Sequence, residues 1–195
     1  MKKSILVVAI LLHSLVMVAQ TGPKGLNLND KAPDFTAKDQ NGKNISLKNE
    51  LKNGAVVLVF YRGQWCPFCN RQLKQLEDSL GQITAKGAKV LTITPEKEEN
   101  ITKTITKTKA SFSILHDEGL QIMKSYDVAF KVDDKTIETY KKYGIDFSDA
   151  NGMANGANLP VPAVYVINKE GKIIYKYFDA DYRKRSSVKD ILDHL

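Results

Sequence analysis

The chain reads as an α/β domain, a mixed central β-sheet flanked by helices. Three observations predict this class. Ala55 to Tyr61 and Ala88 to Thr94 are continuous apolar runs, as expected of strands buried on both faces. The first run leads directly into apolar residues at helical spacing, Leu73, Leu76, Leu80 and Ile83, and the second into a polar stretch of helical character. The C-terminal part then carries two more strand patterns joined by a tight turn and closed by a helix.

In chain order, Lys31 to Phe35 followed by Asn41-Gly42-Lys43 and Ile45 to Leu47 predicts a short hairpin with an Asn-Gly turn. The strand at Ala55–Tyr61 follows, then a helix from Pro67 to about Ala85. Pro95 closes the strand at Ala88–Thr94. A polar helix from about Lys97 to Lys109 has Ile101 and Ile105 as its apolar stripe. Phe112 to Leu115 reads as a third strand and Glu118 to Tyr126 as a short helix. From Val128 to Leu159 the pattern loosens. Lys135 to Tyr143 has some helical character, and Asn151-Gly152 and Asn155-Gly156 are turn signals. Val161 to Ile167, the turn Lys169-Glu170-Gly171 and Lys172 to Phe178 form a strand pair. Ser186 to His194 closes the chain as a helix, with Ser186 or Ser187 as its cap.

The N-terminus stands outside this plan. Lys2 and Lys3 precede an apolar stretch from Ile5 to Ala19, broken by Gln20-Thr21-Gly22-Pro23. A charged start, an apolar core and a small residue at the break describe a secretory signal peptide over residues 1–20, cleaved after Ala19 or Gln20. An uncleaved anchor is the competing reading, but the stretch is short for a membrane span. No cysteine follows it, so a lipid anchor on Cys has no support. An exported protein, periplasmic or extracellular and without stable membrane association once the leader is removed, is the expectation. Loss of the leader lowers the formal net charge from +7 to +5. The lysines of residues 97–109 alternate with acids, Thr and Ile rather than aromatics, a solvated face and not a nucleic-acid surface. About 175 mature residues suit one domain, residues 24–195, with one hydrophobic core.

The chemistry concentrates in Trp65-Cys66-Pro67-Phe68-Cys69, which holds both cysteines of the chain. A bridge over so short a loop removes little unfolded-chain entropy, so it is a poor structural staple. Easy closure with little structural gain suits a bond that is made and broken. Pro67 fits the first helical position and pushes the residue before it out of the helical region, which makes Cys66 the N-cap. Helix dipole and free N–H groups favour a thiolate there, so Cys66 is expected to have a depressed pKa and to be more exposed than Cys69. Arg62 adds positive charge nearby or is an ordinary solvated arginine. Trp65 and Phe68 either pack or form an apolar rim for a substrate or reductant.

These residues resemble the thioredoxin-fold peroxiredoxins, within the alkyl hydroperoxide reductase/thiol-specific antioxidant family, and in particular its Cys-Pro-x-Cys branch. The resemblance runs through Ala32-Pro33-Asp34-Phe35, Phe60 to Cys69, Leu159 to Gly171 and Asp181-Tyr182-Arg183-Lys184-Arg185. It implies a thioredoxin-like fold and a thiol peroxidase. In that scheme a Cys66 thiolate attacks a hydroperoxide, Cys69 resolves the product as a Cys66–Cys69 disulfide, and a thioredoxin-type donor protein recycles it, with no cofactor. Two features depart from the family pattern. A Thr or Ser three residues before the attacking Cys and a Pro seven before are replaced by Gly63 and Val59. The family's late active-site Arg gives way to Pro162, which resembles the cis-proline that faces the dithiol in thioredoxins and is a candidate substrate-binding residue. These departures favour the alternative of a thiol–disulfide oxidoreductase without significant peroxidase activity. A third reading makes Cys66, Cys69 and His116 a copper site, against the spacing of copper chaperones. Zinc has no support, for want of a second ligand pair, and no phosphate-binding glycine loop is present. The Val128–Leu159 stretch, ending at Pro162, is expected to form a mobile cover beside the dithiol; the alternative is an inert insertion.

Overall fold

The computed structural model describes residues 22–195, so the expected leader lies outside the described residues. Eighteen regular elements alternate much as the sequence pattern predicts. A hairpin of β1 (Thr36–Lys38) and β2 (Asn44–Ser46) opens the domain, with its turn at Asn41-Gly42, and α1 (Leu47–Glu50) follows.

The central sheet has the order β5-β4-β3-β8-β9. Strands β3 (Val56–Phe60), β4 (Lys89–Thr94) and β5 (Ser113–His116) run parallel, and β8 (Ala163–Ile167) and β9 (Ile173–Phe178) complete the sheet antiparallel. The mixed sheet follows from the connections, since helical crossovers force parallel neighbours and a tight turn forces an antiparallel pair. Every residue of β3 is fully buried, which explains its unbroken apolar sequence. Its alternate side chains feed opposite faces. Val56, Leu58 and Phe60 join one core with Leu47, Met123 and Tyr126. Val57, Val59 and Tyr61 join the other, with Leu73, Ile101 and Ile191.

Helix α2 (Pro67–Asp78) packs on that second face through Leu73 and Leu76. The single helix expected to Ala85 breaks at Ser79, whose φ of −108° leaves the helical range, and resumes as α3 (Leu80–Ala85). Helix α4 (Glu98–Thr108) also lies on this face, while a 3₁₀ turn (Glu118–Leu120) and α5 (Gln121–Ser125) pack on the other. The last helix, α8 (Val188–Asp193), is capped by Ser187, whose side chain accepts the Asp190 N–H.

The loosely patterned stretch is more ordered than its sequence suggests. Strands β6 (Ala129–Lys131) and β7 (Asn158–Pro160) pair antiparallel and close its base. Between them lie α6 (Asp134–Lys142) and α7 (Phe147–Asn151), each begun by an Asp N-cap. Val132, Phe147 and Leu159 form a small core of their own, with Trp65, Tyr140 and Ile145 packed against it. The segment's aromatics, scattered among turn signals in sequence, converge in space. Among the described residues no helix is long and apolar enough to cross a membrane.

Candidate active site

Strand β3 delivers the chain to a five-residue loop, Tyr61 to Trp65, at the C-terminal edge of the parallel strands, the usual place for a ligand site in such sheets. Gln64 fixes this loop through three contacts. Its N–H donates to Glu96 Oε2 (2.8 Å), and its carbonyl accepts from Asn70 Nδ2 (2.8 Å) and Lys107 Nζ (3.1 Å). A Cβ at Gly63 would stand 2.6 Å from Trp65 Nε1 and 2.7 Å from Glu96 Oε1. That close packing explains why glycine occupies a position where the resembling family has a hydroxyl residue.

Cys66 is the N-cap of α2 with Pro67 at the first helical position, as the sequence predicts. Its Sγ accepts the Cys69 N–H at 3.4 Å. The two sulfurs lie 2.7 Å apart, both cysteines are free, and the geometry allows a local disulfide.

The electrostatics differ from the expectation. Both cysteines are buried, Cys66 at 1% and Cys69 at 0% exposure, so the expected difference in exposure is absent. The sulfurs share a proton and titrate as a pair. Burial opposes charge on Cys69, yet the hydrogen bond from Cys66, the charge of Arg185 and a backbone hydrogen bond from Arg62 outweigh it and bring that thiol down to about 6. Donating to Cys69 and burial push the Cys66 thiol up, against a smaller lowering by its N-cap bond and Arg62. The helix terminus therefore acts as expected on Cys66 but is outweighed by the second sulfur. The decisive cation is Arg185, whose Nη2 lies 3.4 Å from Cys69 Sγ and 3.9 Å from Cys66 Sγ.

Arg62 is no solvated arginine; it is 5% exposed. Its Nη2 donates to the Tyr140 hydroxyl (2.7 Å), and its guanidinium lies 4.3 Å from the Tyr182 ring centroid and 4.9 Å from that of Trp65. Aromatic faces of this kind offset part of the cost of burying the charge. Its Nε and Nη1 have no hydrogen-bond partner. Arg62, Cys66, Phe68, Tyr140 and Tyr182 line a largely apolar cavity of about 340 Å³ that reaches Cys66 but not Cys69.

Trp65, half-buried, faces the insert, with ring centroids 5.3 Å from Tyr140 and 5.7 Å from Phe147. Phe68 sits edge-on to Tyr182 (5.9 Å) and under Arg71. Pro162 is buried just before Ala163, which pairs with Phe60. The cis peptide expected there is corrected, since all peptide bonds among the described residues are trans. Val161 N–H donates to Val128 O (2.8 Å), so the chain runs extended from β7 into β8 and needs no sharp reversal. His116 Nδ1 lies 2.7 Å from the Glu96 carbonyl oxygen, and among the described residues no three His, Cys, Asp or Glu side chains gather as a metal site.

Three site residues escaped the sequence reading. Arg185 belongs to a quoted motif, but nothing local ties it to sulfurs more than a hundred residues earlier. Tyr140 lies on the face of α6 that meets the insert's small core. Glu96 was accessible in principle: Phe60 pairs in parallel with Ile93, so residues just past both strand ends must meet.

Comparison with known proteins agrees with this geometry. The model of the AhpC/TSA family matches residues 28–176. The chain is 30% identical over 145 residues to the chloroplastic peroxiredoxin Q of Triticum aestivum, covering 74% of this chain and 56% of the relative. It is 36% identical over 116 residues to that of Arabidopsis thaliana, covering 57% and 53%. The chain thus spans about half the length of the curated relatives it matches. Among solved structures, the peroxidoxin BcpB of Mycobacterium tuberculosis superposes with a TM-score of 0.64 at 18% identity, covering 89% of this chain and 96% of that one. The thioredoxin domain of a thiol-disulfide oxidoreductase from Bacteroides vulgatus gives 0.52 at 21%, covering 81% and 93%. At these identities the structural likeness speaks for the fold alone.

Proposed function

The chain belongs to the AhpC/TSA family, with a thioredoxin-like fold, and from that premise we propose that it is a thiol peroxidase that reduces hydroperoxides. The observation that carries the reading is the arrangement around Cys66. One sulfur faces an apolar cavity lined by a buried guanidinium, and the other stands 2.7 Å behind it against a second guanidinium.

In this reading the Cys69 thiolate takes the proton of Cys66, and Cys66 attacks the terminal oxygen of a hydroperoxide in the cavity. The O–O bond breaks, the hydroxyl stays on Cys66 as a sulfenic acid, and the leaving alkoxide takes a proton from solvent. Arg62 stabilises charge on the departing oxygens. Cys69, now protonated, condenses with the sulfenic acid; the S–S bond forms and water leaves. A thioredoxin-type dithiol protein then reduces the bond by exchange. Trp65 and Phe68, which line the cavity, serve in this reading as binding surface for substrate or reductant, while Pro162 is buried and presents no such surface. The N-terminal pattern supports export to the periplasm or the cell exterior.

Gly63 in place of a hydroxyl residue favours the second reading, a thiol–disulfide oxidoreductase using the same sulfurs. One measurement separates the two: stopped-flow oxidation of the reduced protein by hydrogen peroxide and by a small organic disulfide. Peroxide oxidation faster than that of a free thiol by about a hundredfold or more is expected. A peroxide rate no better than a free thiol, with fast disulfide exchange, transfers the assignment to the second reading.

A further inference from the structure

Tyr140 enters the site from the insert, and the steps above leave its hydroxyl unused. It stands near the end of α6, half-buried, and lines the same cavity as Cys66. Its ring is held edge-on to Trp65, with centroids 5.3 Å apart, and against Phe147 at 5.2 Å. Between these two rings its Oη comes to 2.7 Å from Arg62 Nη2.

A guanidinium has hydrogens to give and none to receive, so the phenol oxygen is the acceptor in this bond. The phenolic hydrogen is left free, and among the described residues it meets no acceptor. The other two tyrosines of the cavity differ. Tyr182 offers the guanidinium its ring, 4.3 Å away at the centroid, and Tyr143 is largely exposed. Arg62 therefore singles out one hydroxyl, whose oxygen faces a cation and whose hydrogen is available to a ligand in the cavity. Its own Nε and Nη1, buried without partners, remain for the oxygens of the same ligand.

We propose that Tyr140 is a catalytic residue of peroxide reduction, the last carrier of the proton that the leaving oxygen draws from solvent. The step rests on the peroxidase reading. When Cys66 Sγ attacks the terminal oxygen, the O–O electron pair goes to the alkoxide oxygen. The Tyr140 O–H bond breaks towards that oxygen and an alcohol leaves. The phenolate is held by the Arg62 guanidinium, as charge-assisted pairs are, until solvent reprotonates it. A phenol is a far stronger acid than an alcohol or water, so the transfer runs downhill. Without it a strongly basic alkoxide is set free in a largely apolar cavity, where an isolated charge is costly.

Two peroxides that differ in their need for a proton supply the test. tert-Butyl hydroperoxide releases a strongly basic alkoxide, whereas peracetic acid releases acetate, which needs no proton at neutral pH. Stopped-flow oxidation of the reduced dithiol is followed with each, in the natural protein and in Tyr140→Phe. Phe keeps the ring packing and removes only the hydroxyl. A disturbed Arg62 slows both peroxides alike; a missing proton slows only the first. The slowing with tert-butyl hydroperoxide is expected to exceed that with peracetic acid by about tenfold or more. Equal slowing with both, or none with either, overturns the proposal. If Tyr140→Phe does not fold, the solvent isotope effect on the natural protein decides. The ratio of rates in H2O and D2O is expected to be larger by about twofold with tert-butyl hydroperoxide than with peracetic acid, and equal ratios overturn the proposal. A natural protein that reacts with both peroxides no faster than a free thiol is a separate result, which removes the peroxidase reading and this step with it.

Discussion

Arg185 shows how far one side chain can decide the chemistry of another. It reaches both sulfurs from the segment before α8, 116 residues after Cys69. A cation at this range favours the ionised thiol, and removing it leaves burial in charge. Arg185→Ala is expected to raise the first ionisation of the dithiol from about 6 by roughly one to two pH units. At neutral pH the thiolate population then falls, and alkylation by iodoacetamide slows with it. Thiolate absorbance against pH measures the shift; a midpoint unmoved by the substitution removes Arg185 from the site. Arg185→Lys restores part of the effect by restoring the charge. Cys66 is the counter-example. Its place as N-cap is written in the following proline, and the N–H of Cys69 does bond to it. Sequence supplied its position, whereas its ionisation depends on the Cys69 sulfur first, then on burial and on Arg62, an arrangement only the folded chain sets.

Among the elements, the insert between β6 and β7 is tied to the site through two side chains. Trp65 packs edge-on against Tyr140 and Phe147, and Arg62 donates to the Tyr140 hydroxyl. Helix α6 has no buried residue of its own, so these contacts hold it down. Local opening is controlled by such buried contact. Trp65→Ala is expected to speed hydrogen exchange in α6 and α7 by about tenfold or more, as loss of a large aromatic contact implies, while α4 amides keep their protection. Equal exchange in variant and natural protein shows that the insert stands by itself. The strands and helices of the main domain were legible because one residue period runs through each of them. The insert was not, because Ile137, Tyr140, Ile145 and Phe147 follow no single period and meet only after the β6–β7 base closes. Pro162 misled for a related reason: its neighbours resemble a thioredoxin turn, but here an extra strand, β7, feeds straight into β8.

At the scale of the whole molecule, a buried acid couples global stability to pH. The Glu96 carboxyl stays neutral in the fold up to about pH 8, whereas in the unfolded chain it ionises near its ordinary value of 4.5. The folded state binds that proton more tightly, so the contribution of Glu96 is fully present below pH 4.5 and is lost as pH rises towards 8. The loss is on the order of a few kcal/mol, since each pH unit of displacement is worth about 1.4 kcal/mol. Glu96→Gln escapes it. The melting temperature of the variant is expected to gain on that of the natural protein between about pH 4.5 and 8 and to hold the gain above. Parallel melting curves across that range show that the acid is not held neutral by the fold.

The C-terminal segment is secured late in the chain. Ile191 is buried in the core that also receives Val57 and Val59, and Tyr175 Oη lies 2.8 Å from Ser186 Oγ. A ribosome releases residues 66 and 69 long before residue 185. A nascent chain therefore holds its cysteines without their guanidinium, as ordinary thiols with little tendency to ionise. The dithiol gains its guanidinium only when α8 docks and carries Arg185 into place, so the electrostatics of residues 66 and 69 are completed by the last part of the chain.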